Sequence, residues 1–264
     1  MYKYIRSVLA RRTFAYKLRN KAMNTFSSYE IFNSIREKQE QNRQIEKRPH
    51  EVLYFHKVDD PYSHLTVQYL DKLKDSYDIV LKPILVGEEN PETLHEPSLY
   101  NKYCLEDVRR IATYYQIEFE ADSYPSKNLV DLANSILSSV EKENFNDIAR
   151  DVSSALWNSD EDKLKEISTK YSASKDEVNK KLSEGNKIRN ECDYYFGSAF
   201  YYEKELYWGV DRLNHLEARL SELGAKKTLS NELICNLNTN APKELSSEHK
   251  LNLTYYPSLN SPYT

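Results

Sequence analysis

The segment from Asp60 to His64 contains side chains whose types and spacing suit acid–base or nucleophilic chemistry. Pro61 is predicted to be the first residue of a helix, where the missing proline N–H would have no partner in any case. Asp60 is then the predicted N-cap, and its carboxylate accepts hydrogen bonds from backbone N–H groups of the first turn. The same carboxylate could act as a base if burial raised its pKa.

Two further side chains of this segment have more than one interpretation. His64 lies one helical turn after Asp60, so it could assist a catalytic carboxylate, or the two could form an ordinary exposed pair. Ser63 is a weaker candidate for a nucleophile, because the sequence shows no base beside it. The candidate catalytic residues are therefore Asp60, Ser63 and His64.

Composition excludes several classes of function. The chain of 264 residues has a net charge of −4, which gives no indication of nucleic-acid binding. It has five glycines, so a glycine-rich phosphate loop is not expected. Cys104, Cys192 and Cys235 form neither a C-x-x-C motif nor a zinc-ligand pattern, so no metal site is predicted. Their separation favours a reducing compartment, and we predict a cytoplasmic protein without a transmembrane segment.

Apolar segments on either side of the Asp60 segment predict a strand–helix–strand unit. Residues 52–58 form an apolar, aromatic run that is typical of a strand. Residues 61–77 carry apolar side chains at steps of four and predict one helix. Residues 79–86 form a second apolar run, which predicts a buried strand parallel to the first.

The rest of the ordered region predicts a helical insert followed by a hairpin and a helix. Residues 98–188 keep helical spacing throughout. Residues 199–202 and 206–208 are short apolar segments around Glu203 and Lys204, which suggests a hairpin with an unfavoured turn pair. Asp211 is the predicted N-cap of the closing helix. The predicted fold class is therefore α/β, with a βαβ half, a large helical insert and a ββα half.

The N-terminal 29 residues are basic and contain no acidic residue. They have no apolar block of the length that a secretory signal needs. Two interpretations remain open: a helix packed on the domain, or contact with an anionic surface such as membrane lipid. In the first, the apolar stripe would be Tyr4, Ile5, Val8 and Leu9. Residues 35–49 are dense in mixed charge and are interpreted as a solvated helix end or linker.

The last twelve residues repeat the pattern of an earlier segment. Residues 253–264 and 52–63 share an apolar run, a short polar turn and then Pro-Tyr. We therefore predict that 251–264 is the first strand of a second, truncated domain, joined by a linker at 224–250. The isolated chain would self-associate through this segment, because an unpaired strand seeks another edge.

The combined layout resembles a known family. The stretch from Tyr54 to Ser63, the helix around Asp107, and Tyr207 to Leu213 (Tyr-Trp-Gly-Val-Asp-Arg-Leu) are similar to the DsbA-like thioredoxin fold. Within that fold the chain resembles the branch of kappa-class glutathione transferases and 2-hydroxychromene-2-carboxylate isomerases. The resemblance spans about 51–223, with the insert at about 98–190 and residues 1–50 as a basic helical arm and linker.

The resemblance implies glutathione as cofactor, a small-molecule substrate, and a second domain as in longer bacterial members. No cofactor follows from the residues alone. Relatives place a serine before the Pro61-Tyr62 pair to meet the glutathione sulfur, but Asp60 stands there in this chain. The lack of C-x-x-C at 60–63 excludes dithiol redox chemistry in this domain.

Other glutathione contacts are carried over by the resemblance. The cis-proline loop of relatives corresponds to Ser198 and Ala199, where alanine replaces proline and predicts a trans bond and a differently shaped loop. Lys102 would lie near the glycine carboxylate of glutathione, and Asp211 would hold the glutamyl amine. Two functions therefore remain open: a glutathione-dependent transferase or isomerase with altered chemistry, and a non-catalytic scaffold for a second domain or partner.

Overall fold

The computed structural model describes residues 14–25, 27–87, 96–228, 233–235 and 254–255. The predicted N-terminal stripe at Tyr4 to Leu9 lies outside these residues. So does the repeated C-terminal segment, apart from 254 and 255. No described helix has both the length and the apolar character that crossing a bilayer requires.

A four-stranded mixed sheet forms the centre of the domain, in the order β2-β1-β3-β4. Strand β1 (Glu51–His56) pairs in parallel with β2 (Val80–Leu85). Strand β3 (Ala199–Tyr202) pairs antiparallel with β1, and β4 (Glu205–Trp208) pairs antiparallel with β3. Pro83 is tolerated because β2 lies at the edge of the sheet, where one side of the strand needs no ladder partner. The predicted α/β class and the parallel pairing of the first two strands are confirmed.

The hairpin between β3 and β4 forms around an unusual turn pair, as predicted. Glu203 and Lys204 have φ values of 44° and 71°, so both adopt the left-handed conformation that a tight two-residue hairpin needs. Neither residue favours that conformation. The Glu203 carboxylate, however, lies 2.6 Å from the Arg48 guanidinium, which holds the turn against the N-terminal part of the chain.

The helix predicted over 61–77 is two helices, α3 (Pro61–Val67) and α4 (Leu70–Ser76). They separate at Gln68 and Tyr69, where the Tyr69 N–H donates to Thr66 O and continues the backbone with a tighter turn. The Tyr69 hydroxyl donates to Tyr115 O at 3.1 Å and so fixes the break against the helical insert. The prediction of one continuous helix was wrong, because apolar steps of four do not report a change of axis direction.

In the described part of the chain, five α-helices lie between β2 and β3 and form the helical insert. Helix α7 (Phe145–Trp157) packs on α3, and α5 (Pro97–Tyr115) covers another side of it. Gly185 of the last insert helix lies so close to β2 that a Cβ there would stand 1.9 Å from Leu85 O. The helices are α5 (Pro97–Tyr115), α6 (Lys127–Ser139), α7 (Phe145–Trp157), α8 (Glu161–Ser168) and α9 (Lys175–Glu191).

The closing helix α10 (Leu213–Glu222) does not begin at Asp211. A 3₁₀ turn at Val210–Arg212 comes first, entered through Gly209 with a φ of 78°. Asp211 lies inside that turn, and its carboxylate accepts from Arg212 Nη1 at 2.8 Å. The N-cap prediction for Asp211 was therefore wrong, since the glycine turn shifts the first α-helical residue beyond it.

The described part of the N-terminal arm divides into two helices with different surroundings. Residues 14–25 (α1) are helical and every one of them is exposed, so the expected packing is wrong for this stretch. Its exposed side chains include the large apolar and aromatic ones of Phe14, Tyr16, Leu18 and Met23. The second helix, α2 (Tyr29–Ile45), includes most of residues 35–49, which were interpreted as a solvated helix end or linker. The segment is therefore mostly the end of a helix, and Arg36 Nε attaches that helix to the hairpin by donating to Glu205 at 2.8 Å.

Residues beyond the predicted boundary at 223 also pack on the domain. Asp78 N–H donates to Ala225 O, and Lys227 N–H donates to Ser76 O. Further along, the backbone N–H groups of Ile234 and Cys235 donate to the buried carboxylate of Glu217. Residues 225–227 and 233–235 are therefore part of the packed unit rather than of the predicted linker.

Candidate functional site

Asp60 is the N-cap of α3, as predicted. Its Oδ2 atom accepts from the Ser63 N–H at 3.0 Å and its Oδ1 atom from the Tyr62 N–H at 3.3 Å. The Ser63 hydroxyl also donates to Oδ2, at 2.8 Å. Asp60 therefore satisfies the free N–H groups at the start of α3, which is the position where this fold can stabilise an anion.

Ser63 is fully buried and links two parts of the chain. Its hydroxyl oxygen accepts from the Lys57 N–H at 3.3 Å while its proton is directed at Asp60. Gly197 covers it so closely that a Cβ at Gly197 would lie 3.1 Å from the hydroxyl oxygen. The structure thus gives Ser63 an acidic partner but no access for a substrate.

His64 points away from Asp60 and into the helical insert. Its Nδ1 atom is 3.0 Å from Ser153 Oγ, and its Nε2 atom is 3.3 Å from Glu118 O. Burial lowers the pKa of His64, so its neutral form is favoured. Both predictions for His64 were therefore wrong, because α7 covers the face of α3 that carries it.

Pro61 and Tyr62 lie at the start of α3, as the family pattern implies. Pro61 is the first helical residue and is buried. The Tyr62 hydroxyl donates to Asp107 Oδ2 at 2.8 Å, and its ring lies 5.2 Å from that of Trp208. Burial raises the pKa of Tyr62, so the phenol keeps its proton and acts as a donor to α5.

The loop that corresponds to the cis-proline loop has a trans bond before Ala199, as predicted, since none of the described peptide bonds is cis. Ser198 adopts a φ of 53° and is fully buried, with its hydroxyl 2.7 Å from that of Thr66. Its carbonyl oxygen accepts from the Gly209 N–H at 2.7 Å. Ala199 lies in the ladder between Phe55 and Trp208. The backbone of this loop is therefore engaged within the domain.

Lys102 does not line the cavity at the start of α3, whereas the turn that contains Asp211 packs against α3. Lys102 is exposed, and its neighbour Asn101 faces the small cavity there instead. Asp211 is paired with Arg212, and burial raises the pKa of its carboxyl group. The helical phase of α5 directs the Lys102 side chain to solvent, and its contact with the glycine carboxylate of glutathione stays a prediction.

The cavity beside Asp60 and Pro61 has a volume of about 30 Å³, which is room for roughly one water molecule. Three aromatic rings close it. Tyr100 and Phe196 stack with centroids 5.6 Å apart and planes 9° apart, and Phe196 and Trp208 stack at 5.7 Å and 22°. We call this region the closed site. Ligand pockets of drug-sized molecules are typically about 300–1,000 Å³, so the closed site has no room for a tripeptide.

Sequence reasoning missed the residues that fill the closed site. Cys104 is buried beside Asp60 and faces the tyrosines of α5 and the following loop, and burial raises the pKa of its thiol. Tyr100 and Tyr124 line the same cavity. The spacing of Tyr100, Cys104 and Val108 at steps of four was the available signal, since it places all three on the inward face of α5.

A second buried histidine lies beneath the closed site. His56, at the end of β1, has Nδ1 3.0 Å from the Tyr54 hydroxyl, which also donates to Ser63 O at 3.3 Å. Burial lowers the pKa of His56 to about 3. Tyr54, His56 and Ser63 are therefore joined by hydrogen bonds between neutral groups. No cluster of His, Cys, Asp and Glu suited to a metal ion occurs among the residues that the structure describes.

The sheet order, the helical insert and the capped helix at the end of β1 define a DsbA-like thioredoxin fold. Among solved structures, the chain is similar to 2-hydroxychromene-2-carboxylate isomerase, with 19% identity and a TM-score of 0.51. The similarity covers 66% of this chain and 96% of that chain. At this identity it shows the fold alone, and it confirms the fold recognised from the sequence. No protein-family model and no curated protein matches the sequence.

Proposed function

We propose that this chain is a thioredoxin-fold scaffold domain that does not activate glutathione and supports a second domain or a partner. The observation that carries the proposal is the position of the Asp60 carboxylate. It accepts from the N–H and the hydroxyl of Ser63, where relatives direct a serine at the glutathione sulfur. An anion of the chain itself therefore stands where the thiolate would be stabilised.

The electrostatic cost of a second anion at this position is large. A thiolate about 4 Å from an ionised Asp60 would be repelled by roughly 4 kcal/mol at an effective dielectric constant near 20. That corresponds to about a thousandfold loss of affinity. The ring stack of Tyr100, Phe196 and Trp208 adds a steric barrier.

A second candidate is a glutathione-dependent isomerase or transferase with altered chemistry. It is favoured by the fold similarity, which covers 96% of a 2-hydroxychromene-2-carboxylate isomerase. In that case the ring stack would have to separate to admit glutathione, and Asp60 would serve as a base.

Titration calorimetry with reduced glutathione distinguishes the two candidates. The unmodified chain should give no binding heat. Asp60→Ser removes the repulsion, and the double variant Asp60→Ser with Phe196→Ala also removes a ring of the stack. We expect measurable binding in the double variant and weaker or no binding in the single one. Asp59→Ser, which changes the neighbouring carboxylate outside the cap, is the matched control.

The outcomes of this titration are decisive in both directions. Micromolar binding by the unmodified chain would contradict the scaffold proposal and favour the enzyme. If the double variant also gives no binding heat, the trans loop at Ser198 and Ala199 is the remaining obstacle. The argument that the Asp60 charge repels glutathione then loses its support.

The tandem arrangement and the cytoplasmic location are parts of the same proposal. The support for a second domain is the repeat of 52–63 at 253–264. Deleting residues 250–264 should leave thermal unfolding unchanged and reduce self-association measured by sedimentation. Loss of folding on that deletion would instead make the tail part of the first domain's core.

A further inference from the structure

A groove of about 820 Å³ lies between α6, α9 and the carboxyl ends of β1 and β2. We call it the α6–α9 groove. Asp59 follows β1, and Val86 and Gly87 follow β2, so the groove opens just beyond the ends of the two parallel strands. The crevice at that end of an open α/β sheet is where ligands of such folds bind. Its volume is within the range of about 300–1,000 Å³ that small-molecule pockets have.

The lining of the groove combines apolar and polar residues in similar numbers. Val86 is buried at its base. Gly87 is held there by its N–H, which donates to Asn186 Oδ1 at 2.9 Å. The apolar part of this lining favours an aliphatic or ring-shaped ligand body. The apolar lining residues are Val86, Pro125, Val130, Val178 and Leu182.

The charges of the groove leave one cation available. Lys127 Nζ donates to Asp131 at 2.9 Å. Asp59 lies 3.4 Å from Lys57 Nζ. Lys175 is exposed at the rim and makes no ion pair with any residue that the structure describes. A ligand with a single negative charge would therefore meet an available ammonium group there.

One acceptor inside the groove also lacks a partner. The Oδ1 atom of Asn134 is buried and accepts no hydrogen bond from the described part of the chain. The next residue, Ser135, is already used, because its hydroxyl donates to Ala173 O at 2.7 Å and joins α6 to the start of α9. A buried carbonyl oxygen without a donor is unfavourable, and a ligand hydroxyl or amide would supply that donor once the Asn134 side chain turns toward the groove.

We propose that the α6–α9 groove binds a small organic monoanion with an apolar body and one hydrogen-bond donor. Lys175 meets the anionic group, Asn134 accepts from the donor, and the body lies against Val130 and Leu182. This site meets the closed site at Asp59, and it goes beyond the scaffold function proposed above.

The test uses 2-hydroxyoctanoate as the probe, with octanoate lacking the donor and methyl 2-hydroxyoctanoate lacking the charge. Amide shifts in two-dimensional NMR should change at Gly87, Val130 and Leu182 and remain unchanged at Gly197. Calorimetry should give the order hydroxy acid, octanoate, ester. Lys175→Gln should weaken binding of both acids about tenfold, the value of one charge-assisted contact. Lys180→Gln, on the same helix but outside the groove, should leave the affinity unchanged.

Asn134→Ala provides the second arm of the test. It should reduce the affinity of the hydroxy acid to that of octanoate and leave octanoate itself unaffected. The proposal is overturned if the unmodified chain does not bind the hydroxy acid, if the ester binds equally well, or if the shifts centre on Gly197. None of these results bears on the glutathione titrations, so the two proposals fail independently.

Discussion

Two concave regions lie beyond the carboxyl end of β1, and they differ in what fills them. The closed site at the start of α3 has about 30 Å³, because rings from α5, β4 and the loop before β3 stack across it. The α6–α9 groove has about 820 Å³, and the Ser135 hydroxyl on α6 donates to Ala173 O just before α9. The fold places both concavities, and side-chain volume decides which of them is open.

The two regions also differ in whether their polar groups have hydrogen-bond partners. At the closed site, Asp60, Ser63 and Tyr62 all have hydrogen-bond partners within the domain. In the groove, Asn134 and Lys175 have groups that no described residue engages. A region whose hydrogen bonds are complete is a structural centre. A region with unused groups and space can accept a ligand.

Acidification should have the largest effect on the free energy of unfolding, and it acts on the region of the closed site. The pKa of His56 is about 3 in the folded chain against an ordinary value of 6.5. The stability that depends on neutral His56 is fully present above pH 6.5. Between pH 6.5 and 3 the unfolded chain binds a proton that the folded chain does not, so stability falls. The loss should reach about 5 kcal/mol at pH 3, measured as the free energy of urea unfolding.

His56→Gln tests the source of this acid sensitivity. The variant should have a flatter dependence of unfolding free energy on pH between 6.5 and 3, even if it is less stable at pH 7. His215→Gln, at an exposed position on α10, is the control and should retain the slope. If the slopes of all three proteins coincide, another group causes the acid sensitivity.

Gly185→Ala should have the next largest effect, because it disturbs the packing of α9, which forms one side of the α6–α9 groove. The added Cβ would stand 1.9 Å from Leu85 O, so α9 would have to move away from β2. Backbone has little freedom to give way, and we expect a loss of at least about 3 kcal/mol in unfolding free energy. Gly87→Ala is the control, because its Cβ would meet side-chain atoms at ordinary distances of 3.5 Å and more. Equal stability of both variants would show that α9 is loosely held.

Asp60→Ala should have a smaller effect that reports on the cap alone. It removes the acceptor of the Tyr62 and Ser63 N–H groups and leaves the Ser63 hydroxyl without its partner. We expect a loss of about 2 kcal/mol in chemical denaturation. Asp60→Asn, which keeps one carbonyl acceptor, should lose less than half of that, and Asp59→Ala should be near neutral. A neutral Asp60→Ala would show that the carboxylate does not stabilise the start of α3.

The sequence predicted the fold well where its signals are local. The apolar runs of β1 and β2, the hairpin of β3 and β4, and the Asp60 cap all follow from neighbouring residues, and each is observed. The predicted helix boundary at Asp211 was wrong because the turn entered through Gly209, with its positive φ, shifts the helix start by one residue. The break between α3 and α4 at Gln68 was not predicted, because a contact with Tyr115, far along the chain, fixes it.

The site was predicted less well, because it depends on contacts between distant segments. His64 was expected beside Asp60, yet Ser153 from α7 holds it on the other face of α3. The ring stack that fills the closed site joins Tyr100, Phe196 and Trp208. No periodicity within one segment reports such a meeting. The abundance of tyrosine, at 22 residues, indicated aromatic packing but not its place.

The smallest predicted effect concerns the loop that borders the closed site. It separates the backbone strain of that loop from the hydrogen bond that the loop makes. Ser198 combines a φ of 53° with a buried hydrogen bond to Thr66 at 2.7 Å. Ser198→Ala loses the bond and keeps the left-handed conformation, so unfolding free energy should fall by about 2 kcal/mol. Ser198→Gly loses the same bond but adopts that conformation without penalty, which returns about 1 kcal/mol. The glycine variant should therefore be about 1 kcal/mol more stable than the alanine variant in urea unfolding. If the two are equally stable, the backbone at 198 carries no strain. The shape of the loop would then follow from the Thr66 bond alone, and the closed site would depend on one hydrogen bond more than on the conformation of its border.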